Sequence, residues 1–194
     1  YGRQEKLFNS IQERKVLTDY TKKAIEFAEA VGCNNLVFGC PRNRVIKEEA
    51  DKENAILFFR EIGDYASEHH TVVAIEANPP IYNTNYINDT ESALDLIGQV
   101  DSKGFLLNLD VGTMIENNEE ISVLHGKEHL INHVHISEPN LKRIEERDVH
   151  GKLASFLTGC DYGGYVSIEV GRQDDVSSLE EMMLYVRRIF GEQL

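Results

Sequence analysis

Four short apolar runs in this chain close on a polar residue that a buried strand has no structural reason to carry. Residues 72–75 close on Glu76, residues 105–109 on Asp110, Val134 leads to His135, and residues 166–168 close on Glu169. A charge at the end of a buried strand is costly to desolvate unless it is paired or bound to a metal. Taken singly, each glutamate would read as the partner of a Lys or Arg, and His135 as a core histidine bonded to a carbonyl. As a set at successive strand ends, Glu, Asp, His and Glu make a hard, oxygen-rich site for one divalent cation.

Helical periodicity fills the intervals between these runs. Residues 17–31 place Leu17, Tyr20, Ala24, Phe27 and Val31 on one face, with Gly32 as terminator, and a strand at residues 35–38 follows. Residues 54–68 carry Leu57, Phe58, Ile62 and Tyr65 at helical spacing and lead into the strand ending at Glu76. The order repeats with helices at 90–100, 121–131 and 153–157 and strands at 105–110, 133–136 and 165–170. A last helix is predicted from a capping-box pattern, Ser177 to Glu180, with Leu179, Met182, Met183, Val186, Ile189 and Phe190 on its buried side. Strict alternation with near-continuous apolar strands predicts a parallel sheet covered on both faces.

In a doubly wound sheet the ligand site gathers at one switch point, whereas a closed β/α barrel points the carboxyl ends of all its strands at one axis. The expected fold is therefore an α/β (β/α)8 TIM barrel, represented by five βα units in a single domain over residues 1–194. The polar segment at residues 1–15 reads as the loop after a third strand, so the first three or so strands are expected to be absent. A sheet of five strands would leave two edges unpaired.

Composition narrows the partners. The chain has 20 Lys and Arg against 33 Asp and Glu, a net charge of -13, and no basic stripe of the kind a nucleic-acid groove needs. No apolar run approaches membrane-spanning length, and residues 1–6 lack a signal-peptide pattern, so a cytoplasmic protein is expected. Cys33, Cys40 and Cys160 show no paired metal spacing and read as small buried thiols rather than a disulfide frame. Self-association is left open.

At the four ligand strands the chain resembles the sugar phosphate isomerase and epimerase superfamily of xylose isomerase-like barrels. The matching stretches are Ala74-Ile75-Glu76-Ala77-Asn78, Leu109-Asp110-Val111-Gly112, His133-Val134-His135-Ile136-Ser137-Glu138-Pro139 and Gly164-Tyr165-Val166-Ser167-Ile168-Glu169. The resemblance implies that Glu76, Asp110, His135 and Glu169 hold the metal and that Glu76 and Glu169 double as acid/base groups. It also makes His150 the histidine that reaches the substrate. Asn78, Glu138 and Arg143 are strand-end or loop polars that could line a sugar pocket. His133 points the same way as His135 by strand alternation, as a supporting donor or competing ligand, while His69, His70, His125 and His129 read as surface residues.

The chain departs from the ketose 3-epimerase branch at Thr113, Tyr82 and Leu141, where that branch carries a histidine, a carboxylate and an arginine. Thr113 also stands where the metal-dependent apurinic endonucleases of the superfamily carry an additional ligand, which with the acidic charge argues against DNA repair.

The expected activity is sugar or sugar phosphate isomerisation or epimerisation, in which a proton leaves a carbon next to a carbonyl and a divalent ion stabilises the enediolate. Manganese is the expected ion, with magnesium, cobalt or zinc as alternatives. Dehydration of an inosose on the same site, and a non-catalytic binding or interaction module, are the alternative functions.

Overall fold

The computed structural model describes residues 5–191. Residues 1–4, which belong to the segment read as a loop, lie outside the described residues. The chain forms two compact units, Tyr1–Asn108 and Leu109–Leu194.

In the first unit, α1 (Ile11–Val31) is followed by β1 (Leu36–Phe38), α2 (Ala50–Glu68), β2 (Val73–Glu76) and α3 (Thr90–Val100), and then by β3 (Phe105–Asp110), whose last two residues pass into the second unit. The strands are parallel neighbours in chain order, with Leu36 opposite Val73, Phe38 opposite Ile75, and Glu76 opposite Asn108. Helix α1 starts earlier than its apolar pattern suggests, because Ser10 caps it by accepting from the Glu13 N–H. Gly32 ends it in the left-handed region at φ 69°. The residues expected to be buried on α1 are displaced by one helical position. Leu17, Thr21, Ile25 and Ala28 are buried against α2 and β1, while Tyr20, Phe27 and Val31 are exposed. Leu57 on α2 is likewise exposed, and Phe59 takes the buried place beside Phe58 and Ile62.

Phe38, Phe58, Phe59 and Phe105 form the aromatic centre of this unit. The Phe38 and Phe59 rings meet edge-on at 5.1 Å, and Phe59 stacks on Phe105 at 4.8 Å. The segment after β2 forms a closed loop: Asn78 N–H donates to the Ile87 carbonyl at 2.9 Å, and the Asn88 amide donates to the Asn78 carbonyl at 2.8 Å. Asn85 adds a two-way bridge to the Ile46 backbone.

In the second unit, α4 (Val111–Asn117) leads to β4 (Ile131–Ile136), α5 (Asp148–Gly159), β5 (Tyr165–Ile168) and α6 (Val176–Phe190). β4 and β5 are parallel, with His133 opposite Tyr165 and His135 opposite Ser167. The helix expected at 121–131 is absent. Two single 3₁₀ turns, Ile121–Leu124 and Glu128–Leu130, flank Gly126 at φ 77°, and Ile131 already belongs to β4. The helix of this interval is α4, which begins directly at the end of β3. On α6, Asp175 rather than Ser177 is the cap, accepting from the Ser178 N–H at 2.7 Å. Met182, Val186 and Phe190 are buried, whereas Leu179 and Met183 are exposed.

The described residues thus contain five strands alternating with helices, and the strand positions are those read from the sequence to within a few residues. Each of β1 and β5 has one strand neighbour within its own unit. All three cysteines are free, and Cys33 is exposed rather than buried. Among the described residues no helix is long and apolar enough to cross a membrane.

A close approach of α2 to the residue just before β3 depends on Gly104. A Cβ there would collide with the Gly63 carbonyl and lie 2.6 Å from the Ser67 nitrogen, both backbone atoms of α2. Backbone cannot swing aside, so Gly104→Ala should destabilise the chain by about 1–3 kcal/mol or more, the usual range for overpacking. Urea unfolding measures this, and a stability equal to that of the unaltered chain would disprove the packing.

Candidate metal centre

The second unit brings three of the expected ligand residues together. Asp110 ends β3, His135 is the fifth residue of β4, and Glu169 follows β5, its N–H donating to the Ile136 carbonyl at 2.9 Å. Asp110, His135 and Glu169 each present a ligand atom, all within 4.8 Å of one another. His135 Nδ1 lies 3.3 Å from Glu169 Oε2. The Glu169 side chain is 39% exposed, so it remains reachable from solvent.

Two uncharged donors contact Asp110. Its Oδ1 accepts from the Thr113 N–H at 2.6 Å, which makes it the cap of α4, and its Oδ2 accepts from the Ser137 hydroxyl. Ser137, 1% exposed, also accepts from the Gly112 N–H at 2.8 Å. This serine was not singled out in the sequence, although it lies within a matching stretch two residues after His135. His133 sits beside His135 with ring centroids 5.2 Å apart, and its Nε2 is 2.9 Å from the Ser167 hydroxyl. Burial, and then the nearby His135, push the His133 imidazole below its ordinary value.

Glu76 ends β2 in the first unit and is 6% exposed. Its register neighbour Asn108 donates its side-chain N–H to Glu76 Oε1 at 2.8 Å. Asn78 is buried, and its side-chain oxygen accepts from Arg44 at 2.7 Å. Arg44 went unnoticed in the sequence. It is fully buried and also donates to the backbone carbonyls of Glu76, Phe38 and Tyr86. Burial pushes its guanidinium down to about 10, opposed first by the charge of Glu76, which leaves it protonated at neutral pH.

The remaining sequence candidates have other partners. Glu138, 3% exposed, is held by Arg147 in a two-point pair at 2.7 Å and 2.7 Å. Arg143 is bonded to Ser178 and Glu181 of α6 at the surface. His150 lies in the first turn of α5, fully buried, with Nδ1 2.8 Å from the Tyr185 hydroxyl. Among the described residues its Nε2 has no hydrogen-bond partner.

Three kinds of comparison bear on the chain. The xylose isomerase-like TIM barrel family profile matches residues 8–187. Among solved structures, D-psicose 3-epimerase from Clostridium cellulolyticum H10, crystallised with D-tagatose, is similar with a TM-score of 0.80 at 16% identity. That match covers 96% of this chain and 75% of the other. The 3-keto-D-glucoside 4-epimerase of E. coli is similar with a TM-score of 0.81 at 20% identity, covering 96% and 76%. D-allulose 3-epimerase from Methylomonas sp., in complex with D-allulose, has a TM-score of 0.73 at 21% identity, covering 96% and 67%. No curated protein sequence matches the chain.

The His150 environment makes a pH prediction. Burial lowers its imidazole from the ordinary 6.5, opposed by the charge of Glu138 and reinforced by that of Arg147. Unfolding restores the ordinary value, so the unfolded chain binds this proton more strongly. The stability contributed by neutral His150 is therefore present above the unfolded value and lost as pH falls toward the lower folded one. Urea midpoints measured between about pH 7 and pH 5 should fall more steeply for the unaltered chain than for His150→Asn. Parallel slopes would assign the acid sensitivity to other groups.

Proposed function

The chain belongs to the xylose isomerase-like TIM barrel family, and from that premise we propose that it is a divalent-metal-dependent isomerase or epimerase of a sugar or sugar phosphate. The observation that carries this reading is the cluster of Asp110, His135 and Glu169, three donor groups of mixed carboxylate and imidazole character gathered within 4.8 Å. That donor set, without thiolate, suits a hard or borderline divalent ion such as manganese. Glu76 is proposed as the fourth ligand because it too occupies the carboxyl end of a strand, where a barrel of this family collects its chemistry. The names of the similar solved structures, epimerases of D-psicose, D-allulose and a 3-keto-D-glucoside, support a carbonyl-bearing sugar as substrate.

A divalent ion held by these four residues would supply Lewis-acid polarisation of the sugar carbonyl. The rest falls to the chain itself. Glu169, reachable from solvent and steadied beside His135, is the proposed base that takes the proton from the carbon next to the carbonyl. Glu76 is proposed as the second acid/base group. A proton returned to the opposite face gives an epimer, and one returned to the former carbonyl carbon gives an isomer. Ser137 and the Thr113 N–H hold Asp110 so that it binds without moving during turnover. Thr113, Tyr82 and Leu141, which replace charged or imidazole groups of the ketose 3-epimerase branch, support a substrate outside that branch. Asn78, Glu138, Arg143 and His150 are retained as proposed substrate-side residues, of which His150, with its unpartnered buried Nε2, is the best supported.

Hydrogen–deuterium exchange at the carbon next to the carbonyl tests the proposal on a panel of ketoses, 3-keto-glucosides and inososes. The metal-loaded chain should catalyse exchange, chelation should abolish it, and added Mn²⁺ should restore it. Glu169→Gln, which keeps a ligand oxygen but removes the base, should lower exchange by about 10²–10⁴-fold, the usual worth of a positioned base. Full exchange in this variant would move the base elsewhere. Water loss from an inosose without epimerisation would make the chain a dehydratase, and Mn²⁺ binding without exchange on any sugar would make it a binding module.

A further inference from the structure

Arg44 is placed in a way that stability alone does not explain. A guanidinium buried to 0% exposure is normally paired with a carboxylate. Here the acceptors are four carbonyl-type oxygens: Phe38 O at 3.3 Å, Glu76 O at 2.7 Å, Asn78 Oδ1 at 2.7 Å and Tyr86 O at 3.2 Å. They belong to the end of β1, the end of β2 and both sides of the closed loop that follows β2. A single planar fork of donors thus fixes the peptide leaving Glu76, and with it the direction of the Glu76 Cα–Cβ bond.

Two further contacts define where the carboxylate goes. Asn108 donates to Oε1 at 2.8 Å. Gly39, one residue past β1, lies against the other oxygen: a Cβ there would collide with Glu76 Oε2 and sit 3.3 Å from Cδ. The backbone of Gly39 is not in the positive-φ region. What the position requires is the absence of a side chain.

We propose that Arg44 and Gly39 are positioning residues that aim the Glu76 carboxylate for metal binding, Arg44 through the Glu76 carbonyl and Gly39 by the space it leaves. This rests on the reading of Glu76 as a metal ligand. The Arg44 hydrogen bonds go to main-chain carbonyls and to the Asn78 side chain, so the guanidinium orients Glu76 through its backbone and not through its carboxylate. Gly39 excludes the one side-chain atom that would turn the carboxylate aside. Because the displaced group would be the far end of a flexible side chain, Gly39→Ala should disturb the aim of Glu76 and leave the fold intact.

The test is Mn²⁺ titration of the metal-free full chain followed by electron paramagnetic resonance, with thermal midpoints recorded alongside. The variants are Glu76→Ala, Gly39→Ala, Arg44→Lys and, as a stability control in the buried face of α2, Ile62→Val. Gly39→Ala should bind Mn²⁺ about tenfold or more weakly, the usual scale for residues that orient a ligand, with its thermal midpoint unchanged. Arg44→Lys keeps the charge but loses the fork, and should lose both affinity and midpoint. Ile62→Val should lower the midpoint and bind as the unaltered chain does. Unchanged Mn²⁺ affinity in Gly39→Ala or in Arg44→Lys overturns that residue's role, provided Glu76→Ala binds more weakly. Unchanged affinity in Glu76→Ala instead removes Glu76 from the ligand set. Failure of the unaltered chain to bind Mn²⁺ overturns the metal centre and the positioning role together.

Discussion

The constraint on which the rest of this structure depends is the cost of burying a carboxylate at the end of a strand. The chain meets that cost in two ways. At Asp110 the donors are a backbone N–H and the Ser137 hydroxyl, and at Glu76 Oε1 the donor is the amide of Asn108. These groups satisfy oxygen lone pairs without cancelling the negative charge. At Glu138 the donor is Arg147, and the pair is neutral as a unit. A carboxylate solvated by neutral donors still attracts a cation, whereas one locked to a guanidinium has already spent that attraction. The named donors at Glu76 and Asp110 are uncharged, whereas Glu138, three residues after His135, is matched by a guanidinium.

Asp110 shows how the same economy shapes the fold. Its side chain caps α4, so the strand passes into a helix with no intervening loop. Capping satisfies an orphan donor of the helix and the carboxylate at once. Gly112 belongs to this arrangement, because a Cβ there would lie 2.6 Å from the Ser137 hydroxyl that completes the hydrogen bonding of Asp110.

Much of this was legible in the sequence because it is written locally. Apolar runs of four to six residues ending in a polar one marked β2, β3 and β5, and α3 and β3 have the bounds their periodicity indicated. The errors have physical causes. Residues 121–131 carry apolar side chains at a spacing near three, which a 3₁₀ turn satisfies as readily as a helix, and Gly126 at positive φ divides them. The buried stripe of α1 keeps Leu17 of the expected face but then follows Thr21, Ile25 and Ala28, whereas Phe27 and Val31 are exposed. Arg44 could not be read at all. Its acceptors at Glu76, Asn78 and Tyr86 lie 32, 34 and 42 positions along the chain, and one arginine among the charged residues carries no mark of being buried. Ser137, two residues after His135, is a small polar side chain at a strand end whose bond to Asp110 spans 27 positions and leaves no local mark.

The staple at the foot of the loop after β2 has a further consequence. Asn78 and Ile87 are joined across the neck by a backbone hydrogen bond, Asn88 closes it again, and Arg44 clamps both sides from beneath. Residues 79–84 thus lie beyond the neck, and their side chains can change without pulling on the backbone at Glu76. Sequence change there would reshape the outer face of the loop, while the ends of β1 and β2, both gripped by Arg44 below the neck, keep their places.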